Sequence, residues 1–404
     1  MLFEQKERTR LEPKQQGEND FYFYDSAAGA DYDQYRNTLN GWVEELPEAA
    51  RNDMIGRLRA DDRFGYQAAL AELLIHAALK RQNYQMELHP KTEQNTNQLD
   101  FLVRNPDGTT AAYVEVTSFG PAVELFKKQK RGADIYNYLD QTKLPPGVRL
   151  GLHFVKRGMK TPSLKKLRKT VEAWAEKAVI DPASPSSRII EIDDWQIEFF
   201  LFGGFTTDGV PKRAIAGALD TGRIVRPEIE IRQALGIKGH RYGKLDGPYL
   251  IVVADLKDEL AGGENTDHAL REAMFGTIVS DPVIEENGAI RAVGRRLPDG
   301  YWGALNCPQN RNVSAVILLP RPNLWMLREE RWQPLRALNH FATHKLPAVL
   351  LPLRGYTTDA KGKINLFTGQ PLADQIGLPA VWPPQGSESG DATQFSLQQK
   401  SIEP

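Results

Sequence analysis

Apolar positions along the chain recur first at helical and then at strand spacing. Residues 32 to 45 and 48 to 60 read as two helices, the second opened by Pro47, with Leu39, Trp42 and Val43 on an apolar side. Asp61 and Asp62 break that pattern. From 64 to 81 the positions Leu70, Leu73, Leu74, Ala77 and Ala78 return at a period near 3.6, as in a helix that faces a core. Glu72 and His76, four apart, share one face of it. A short extended run over 84 to 89 stops at Pro90. Leu99 to Val103 and Ala111 to Val116 then predict two strands, joined by Asn105-Pro106-Asp107-Gly108, a hairpin signal because Pro106 presets its dihedral and Gly108 accepts positive φ.

The hairpin register decides where two acids point. A three-residue loop pairing Asn105 with Thr109 would put Asp100 and Glu115 on opposite faces. The apolar alternation prefers paired positions that sum to 215, because only then do Phe101 and Val103 share a face with Val114 and Val116. Register follows the buried face, so Asp100 is expected directly across from Glu115. Carboxylates facing each other at roughly 5 Å repel unless a positive charge lies between them.

Further on, 122 to 143 reads as a helix, Arg149 to Val155 as a strand, and Pro162 to Lys177 as a basic amphipathic helix. The Pro- and Ser-rich stretch 181 to 187 is the expected internal boundary. Beyond it, 195–202, 249–254, 313–319 and 348–353 are apolar runs of strand length, with a helix over about 267–275. The tail from Gly386 is polar and expected to be disordered. The pattern predicts an α/β protein with four parts: an N-terminal helical extension (1–63), a core (64–180), an α/β extension or second domain (188–385) and the tail (386–404).

Composition narrows the chemistry mainly by exclusion. Of 404 residues, 41% are apolar and 25% charged, and 51 Lys and Arg balance 52 Asp and Glu, so any polyanion must be held by local patches. Cys307 is the only cysteine, which excludes an internal disulfide and a Cys-based zinc cluster. The N-terminus has no apolar h-region and no run approaches a membrane span, which reads as cytoplasmic with no membrane partner. HExxH is absent. Gly203-Gly204 and Gly262-Gly263 lack the spacing of phosphate-binding loops.

The order helix with Glu72, strand with Asp100, hairpin, strand with Glu115-Val116-Thr117 resembles the PD-(D/E)XK superfamily, the restriction-endonuclease-like nucleases. The resemblance covers roughly residues 64 to 155. Glu72, Leu73 and His76, then His89-Pro90 and Leu99 to Val103, also resemble an uncharacterised bacterial family assigned to that fold. The resemblance implies a mixed sheet flanked by helices and metal-dependent hydrolysis of phosphodiester bonds in DNA or RNA. It assigns Asp100, Glu115, the Val116 carbonyl and Glu72 to a Mg²⁺ or Mn²⁺ ion. Leu99 stands at the motif's Pro position and Thr117 at its Lys position. A Thr hydroxyl carries no positive charge; Lys127, Lys128 or Lys130 on the next helix could reach back into the site, and without such a Lys catalysis would rest on the metal alone. His76 is a candidate phosphate donor or general base.

Basic clusters supply the expected nucleic-acid contacts: Lys127, Lys128 and Lys130, then Lys165, Lys166 and Arg168, then Lys238 with His240, Arg241 and Lys244. Tyr136, Tyr138 and Trp174 could stack on bases. A homodimer is compatible with this reading. The rival is a catalytically degenerate domain that binds nucleic acid or a protein, which Thr117 favours. A third option is a hydrolase using the carboxylates as acid and base on a sugar or nucleotide, independent of metal.

Overall fold

The computed structural model describes residues 1–92, 95–120, 123–180, 186–203, 214–219, 226–256, 263–284 and 290–382. Its helices include α1 (Asp20–Ser26), α2 (Ala30–Glu44), α3 (Glu48–Arg59), α4 (Arg63–Arg81), α5 (Val123–Leu139), α6 (Leu164–Ala175), α7 (Pro227–Gly239) and α8 (Gly263–Phe275). The first seven principal strands are β1 (Gln85–Leu88), β2 (Phe101–Arg104), β3 (Thr110–Phe119), β4 (Arg149–Lys156), β5 (Ser186–Ile192), β6 (Trp195–Phe202) and β7 (Ile215–Leu219). The remaining five are β8 (Tyr249–Asp255), β9 (Ala315–Pro320), β10 (Leu335–Leu338), β11 (Gly355–Thr358) and β12 (Ile364–Phe367).

The chain divides into two compact units. One comprises Met1–Lys6, Ala30–Gly120 and Val225–Gln385, and the other includes Glu7–Gly29 and Pro121–Ile224. The first holds an eight-stranded mixed sheet in the order β1-β2-β3-β8-β9-β10-β11-β12. Its middle strands β3, β8 and β9 are parallel, and β1, β2 and β3 form an antiparallel meander on one side. Strands β8 and β9 are buried at every residue, as near-continuous apolar runs must be when both faces of a parallel sheet are covered. Ile231, Leu235, Ala269, Leu270, Ala273 and Met274 from α7 and α8 pack on Ile251, Val253, Val316 and Leu318 of one face. Each Ile, Leu, Val or Met side chain among them contributes roughly 1.5–3 kcal/mol when fully buried.

Helix α4 is apolar nearly all round. Ala69, Leu70, Leu73, Leu74, Ile75, Ala77, Ala78 and Leu79 are at most 1% exposed, because the helix is packed by β3 on one side and by α2 and α3 on others. Asp62 caps its N-terminus, its carboxylate accepting from the Phe64 N–H at 3.1 Å.

Both hairpin readings hold, at different places. At the turn, the Asn105 N–H donates to the Thr109 carbonyl, the Gly108 N–H to that of Asn105, and Gly108 takes φ +86°. A bulge beyond Arg104↔Thr110 then shifts the pairing to Val103↔Ala112, Leu102↔Tyr113 and Phe101↔Val114. The extra residue lets local turn geometry and the buried face both be satisfied. The ladder arrives at Asp100 in the register that faces it to Glu115.

Three expectations need correction. The strand expected after the hairpin, β4, is not a neighbour of β3: it belongs to the second unit's four-stranded sheet, ordered β5-β6-β4-β7. A sequential core over 64–180 is therefore replaced by one interrupted at Gly120 and resumed at Val225. The division within 1–63 differs as well, since α1 lies in the second unit while α2 and α3 pack with α4 in the first. Finally, 348–353 buries Leu350, Leu351 and Leu353 but leaves Val349 exposed and forms no strand, because Pro347 and Pro352 lack donors and Leu351 takes φ +44°. The tail from 386 lies outside the described residues. Among the described residues no helix is long and apolar enough to cross a membrane.

Candidate functional site

The first unit brings two of the expected acids face to face at the edge between β2 and β3. Asp100 immediately precedes β2. Its carbonyl accepts from the His89 N–H at 3.0 Å, and its Oδ2 accepts from the Val116 N–H at 2.6 Å. The second bond draws the carboxyl across the end of the ladder toward β3. The C=O and N–H of a strand residue point to the same edge, so the Val116 carbonyl also faces this side. Asp100 is partly buried, whereas Glu115 is 2% exposed.

Helix α7 fills the crossover from β3 to the parallel strand β8, and its last turn delivers a cation to the acids. Lys238 Nζ forms an ion pair with Glu115 Oε1. The Tyr242 hydroxyl, just past the helix, lies 2.6 Å from Glu115 Oε2 and 3.0 Å from the Gln98 carbonyl oxygen, two acceptors for one proton. Burial, then the Glu115 charge, pushes the Tyr242 phenol well above its ordinary range, which fixes it as a donor. The Tyr249 hydroxyl donates to the Lys238 carbonyl at 3.2 Å and so pins the turn that carries the lysine.

Glu72, 6% exposed on α4, is held by Arg57 of α3 at 2.7 Å. Burial pushes the Asp100 carboxyl up to about 7, reinforced by the charges of Glu115 and Glu72 and opposed by the Val116 N–H and Lys238. Of the three acids, Asp100 is the one with no cation within ion-pair distance among the described residues.

No family model, no curated protein and no solved structure matches this chain.

The other expected site residues are dispersed. Thr117 lies on β3 beside Val253 of β8. His76 is 3% exposed, its ring centroid is 6.1 Å from that of Phe101, and its Nδ1 has no hydrogen-bond partner. Burial, aided by Lys80, lowers it to about 4, so it is neutral near pH 7. It borders a cavity of about 10 Å³ with Glu72 and His89, room for about one water. The side chains of Lys127 and Lys128 lie outside the described residues, and Lys130 is exposed in the second unit. Lys165 and Lys166 line a groove of that unit, whereas Arg168 stacks on the Tyr138 ring at 4.4 Å. Tyr138 is thereby occupied by a cation, and Tyr136 is 9% exposed in the second unit's core.

Among the described residues no three His, Cys, Asp or Glu side chains are grouped so as to hold a metal ion. Two carboxylates and a main-chain carbonyl, those of Asp100, Glu115 and Val116, are still hard oxygen donors of the kind Mg²⁺ and Mn²⁺ take, with positions left for water and a phosphate oxygen. Burial first, and then the neighbouring Glu115 and Glu72 charges, disfavour the ionised form of Asp100, which a nearby positive charge would offset. Glu72, engaged by Arg57, would act on such an ion only from outside the ligand set.

Lys238, Tyr242 and Arg57 were missed as site residues. Lys238 stood in a basic cluster but not beside an acid, since its partner is 123 residues away in the chain. Its signal was a helix leading into the all-apolar run 249–254, which is the shape of a parallel crossover.

Proposed function

We propose that the first unit is a restriction-endonuclease-like domain that hydrolyses phosphodiester bonds of DNA or RNA with a divalent cation. The observation that carries this reading is Lys238 at Glu115. It supplies from α7 the positive charge that Thr117 does not supply from β3. The succession α4, β1, β2, β3, α7, β8, with β3 and β8 parallel, supports the same reading once the second unit is taken as an insertion between β3 and α7.

Asp100, Glu115 and the Val116 carbonyl would hold Mg²⁺ or Mn²⁺. When bound, the ion polarises a phosphate oxygen and lowers the pKa of a coordinated water. The chain's own residues do the rest. The Val116 N–H orients the Asp100 carboxyl, and Tyr242 fixes the rotamer of Glu115. The Lys238 ammonium stands where it can orient an attacking water and offset charge growing on the phosphate. His76, buried against Phe101, is assigned a packing role in this reading.

A second reading rests on the same contact. Glu115 already has a cation and a phenol, so the site is part-neutralised without metal, as a degenerate binding domain would be. Supercoiled plasmid and a single-stranded RNA incubated with the protein in Mg²⁺ or Mn²⁺ separate the two. Nicking abolished by chelation, by Asp100→Asn and by Lys238→Met is the expected result. Equal cutting by wild type and an Asp100→Ala, Glu115→Ala double variant would refute the nuclease reading, and no cutting under any condition would favour the binding one.

A further inference from the structure

The second unit carries a groove with different chemistry. It has a volume of about 670 Å³ and runs between α6 and strand β5, at the edge of the four-stranded sheet. Helix α6 buries Leu167, Val171 and Ala175 in the unit's core. Its other faces present Lys165, Lys166 and Lys169, all exposed, and Lys177 follows just after the helix. Arg188 of β5 closes the far wall, and Trp174, partly buried against the core, forms part of the lining. Among the described residues none of these five cations is engaged by a carboxylate.

Unpaired like charges side by side repel, so their clustering costs stability unless an anion completes it. The spread of the charges says what kind of anion. From Lys165 to Lys177 the helical rise covers roughly 18 Å, too far for the cations to converge on one phosphate. They suit a polyanion laid along the helix. The groove is shallow and open, and the indole of Trp174 in its wall offers a face for an unpaired base, which a lipid surface does not present.

We infer that this groove binds single-stranded nucleic acid, with Lys166, Lys169, Lys177 and Arg188 on the backbone and Trp174 stacking on a base. The inference is independent of the acidic site: it concerns the second unit alone and requires no cutting.

The test is fluorescence anisotropy of a labelled 15-nucleotide oligodeoxythymidine and of a duplex of equal length, with the full-length protein in EDTA over a range of salt. Wild type should bind the single strand more tightly than the duplex. The logarithm of its affinity should fall linearly with log salt, by about 0.7 per phosphate contacted. Lys169→Glu with Arg188→Glu, two exposed positions, should weaken binding at least tenfold and flatten the slope by about 1.4, with the melting curve unchanged. Trp174→Leu should weaken binding with the slope unchanged. Undiminished binding by the double charge reversal, tighter binding of the duplex, or binding to anionic vesicles without binding to the oligonucleotide would overturn the inference.

Discussion

Asp100→Asn tests the electrostatics of the acidic site without relying on any activity. Asn is nearly isosteric and its carbonyl oxygen can still accept from the Val116 N–H, so the main change is loss of the negative charge. In the folded state Asp100 titrates at about 7 instead of 3.8. A folded pKa raised above the unfolded one gives a contribution fully present below the unfolded value and lost as pH rises through the folded one. The ionised carboxylate therefore costs stability increasingly between about pH 4 and 7, and by a constant amount above. At about 1.4 kcal/mol per unit the ceiling is on the order of 4 kcal/mol. Asp100 is partly exposed, and screening reduces this to about 1–3 kcal/mol. Asn should thus raise the melting temperature at pH 8 by roughly 2–6 °C and by clearly less at pH 5. Differential scanning calorimetry from pH 5 to 8.5 reads the shift. Tryptophan fluorescence assigns it, since Trp42, Trp302, Trp325, Trp332 and Trp382 are in the first unit. A gain that does not vary with pH, or a loss at pH 8, would refute the argument.

Lys238→Met should cost about 2–4 kcal/mol by leaving Glu115 buried without its cation, measured as a shift in urea midpoint, and should lower any cutting rate by about 10²-fold or more. Tyr242→Phe removes one donor from Glu115 and should cost about 1–3 kcal/mol in the same assay, with a smaller effect on rate than Lys238→Met. His76→Leu separates a packing histidine from a catalytic one. The folded His76 sits at about 4 against an ordinary 6.5, so wild type loses stability as pH falls from 6.5 toward 4, and the variant should lose less over that window while cutting at the wild-type rate. A cutting defect with unchanged stability would restore His76 to the site.

What the sequence disclosed was governed by local periodicity. Helix α4, strands β1 to β3 and the facing of Asp100 to Glu115 follow from where apolar side chains must go, and the bulge near Arg104 reconciles the buried face with the turn. What it concealed was adjacency. After β3 the chain enters another unit, so the next helix and strand in sequence, α5 and β4, are not the next in the sheet. Lys238, on the helix that enters β8, is for that reason far in sequence from the acid it meets. Apolar content alone also misread 348–353, where Leu350, Leu351 and Leu353 are buried in a turn whose backbone cannot pair as a ladder.

The acids of the first unit are best understood by what opposes each charge. Glu72 has Arg57, and Glu115 has Lys238 with a phenol. Asp100 has a backbone N–H, which stabilises a carboxylate less than a full cation does and leaves its carboxyl near neutrality. Two arginine or lysine partners for three clustered carboxyls leave an electrostatic imbalance at Asp100, where an Asn would hold the same hydrogen bond without the repulsion. A divalent cation between Asp100 and Glu115, as proposed above, or a proton on Asp100 would relieve that repulsion. On the proposed nuclease reading Lys238 would have two roles that need not conflict, neutralising Glu115 in the resting fold and meeting a phosphate once a cation took over that task.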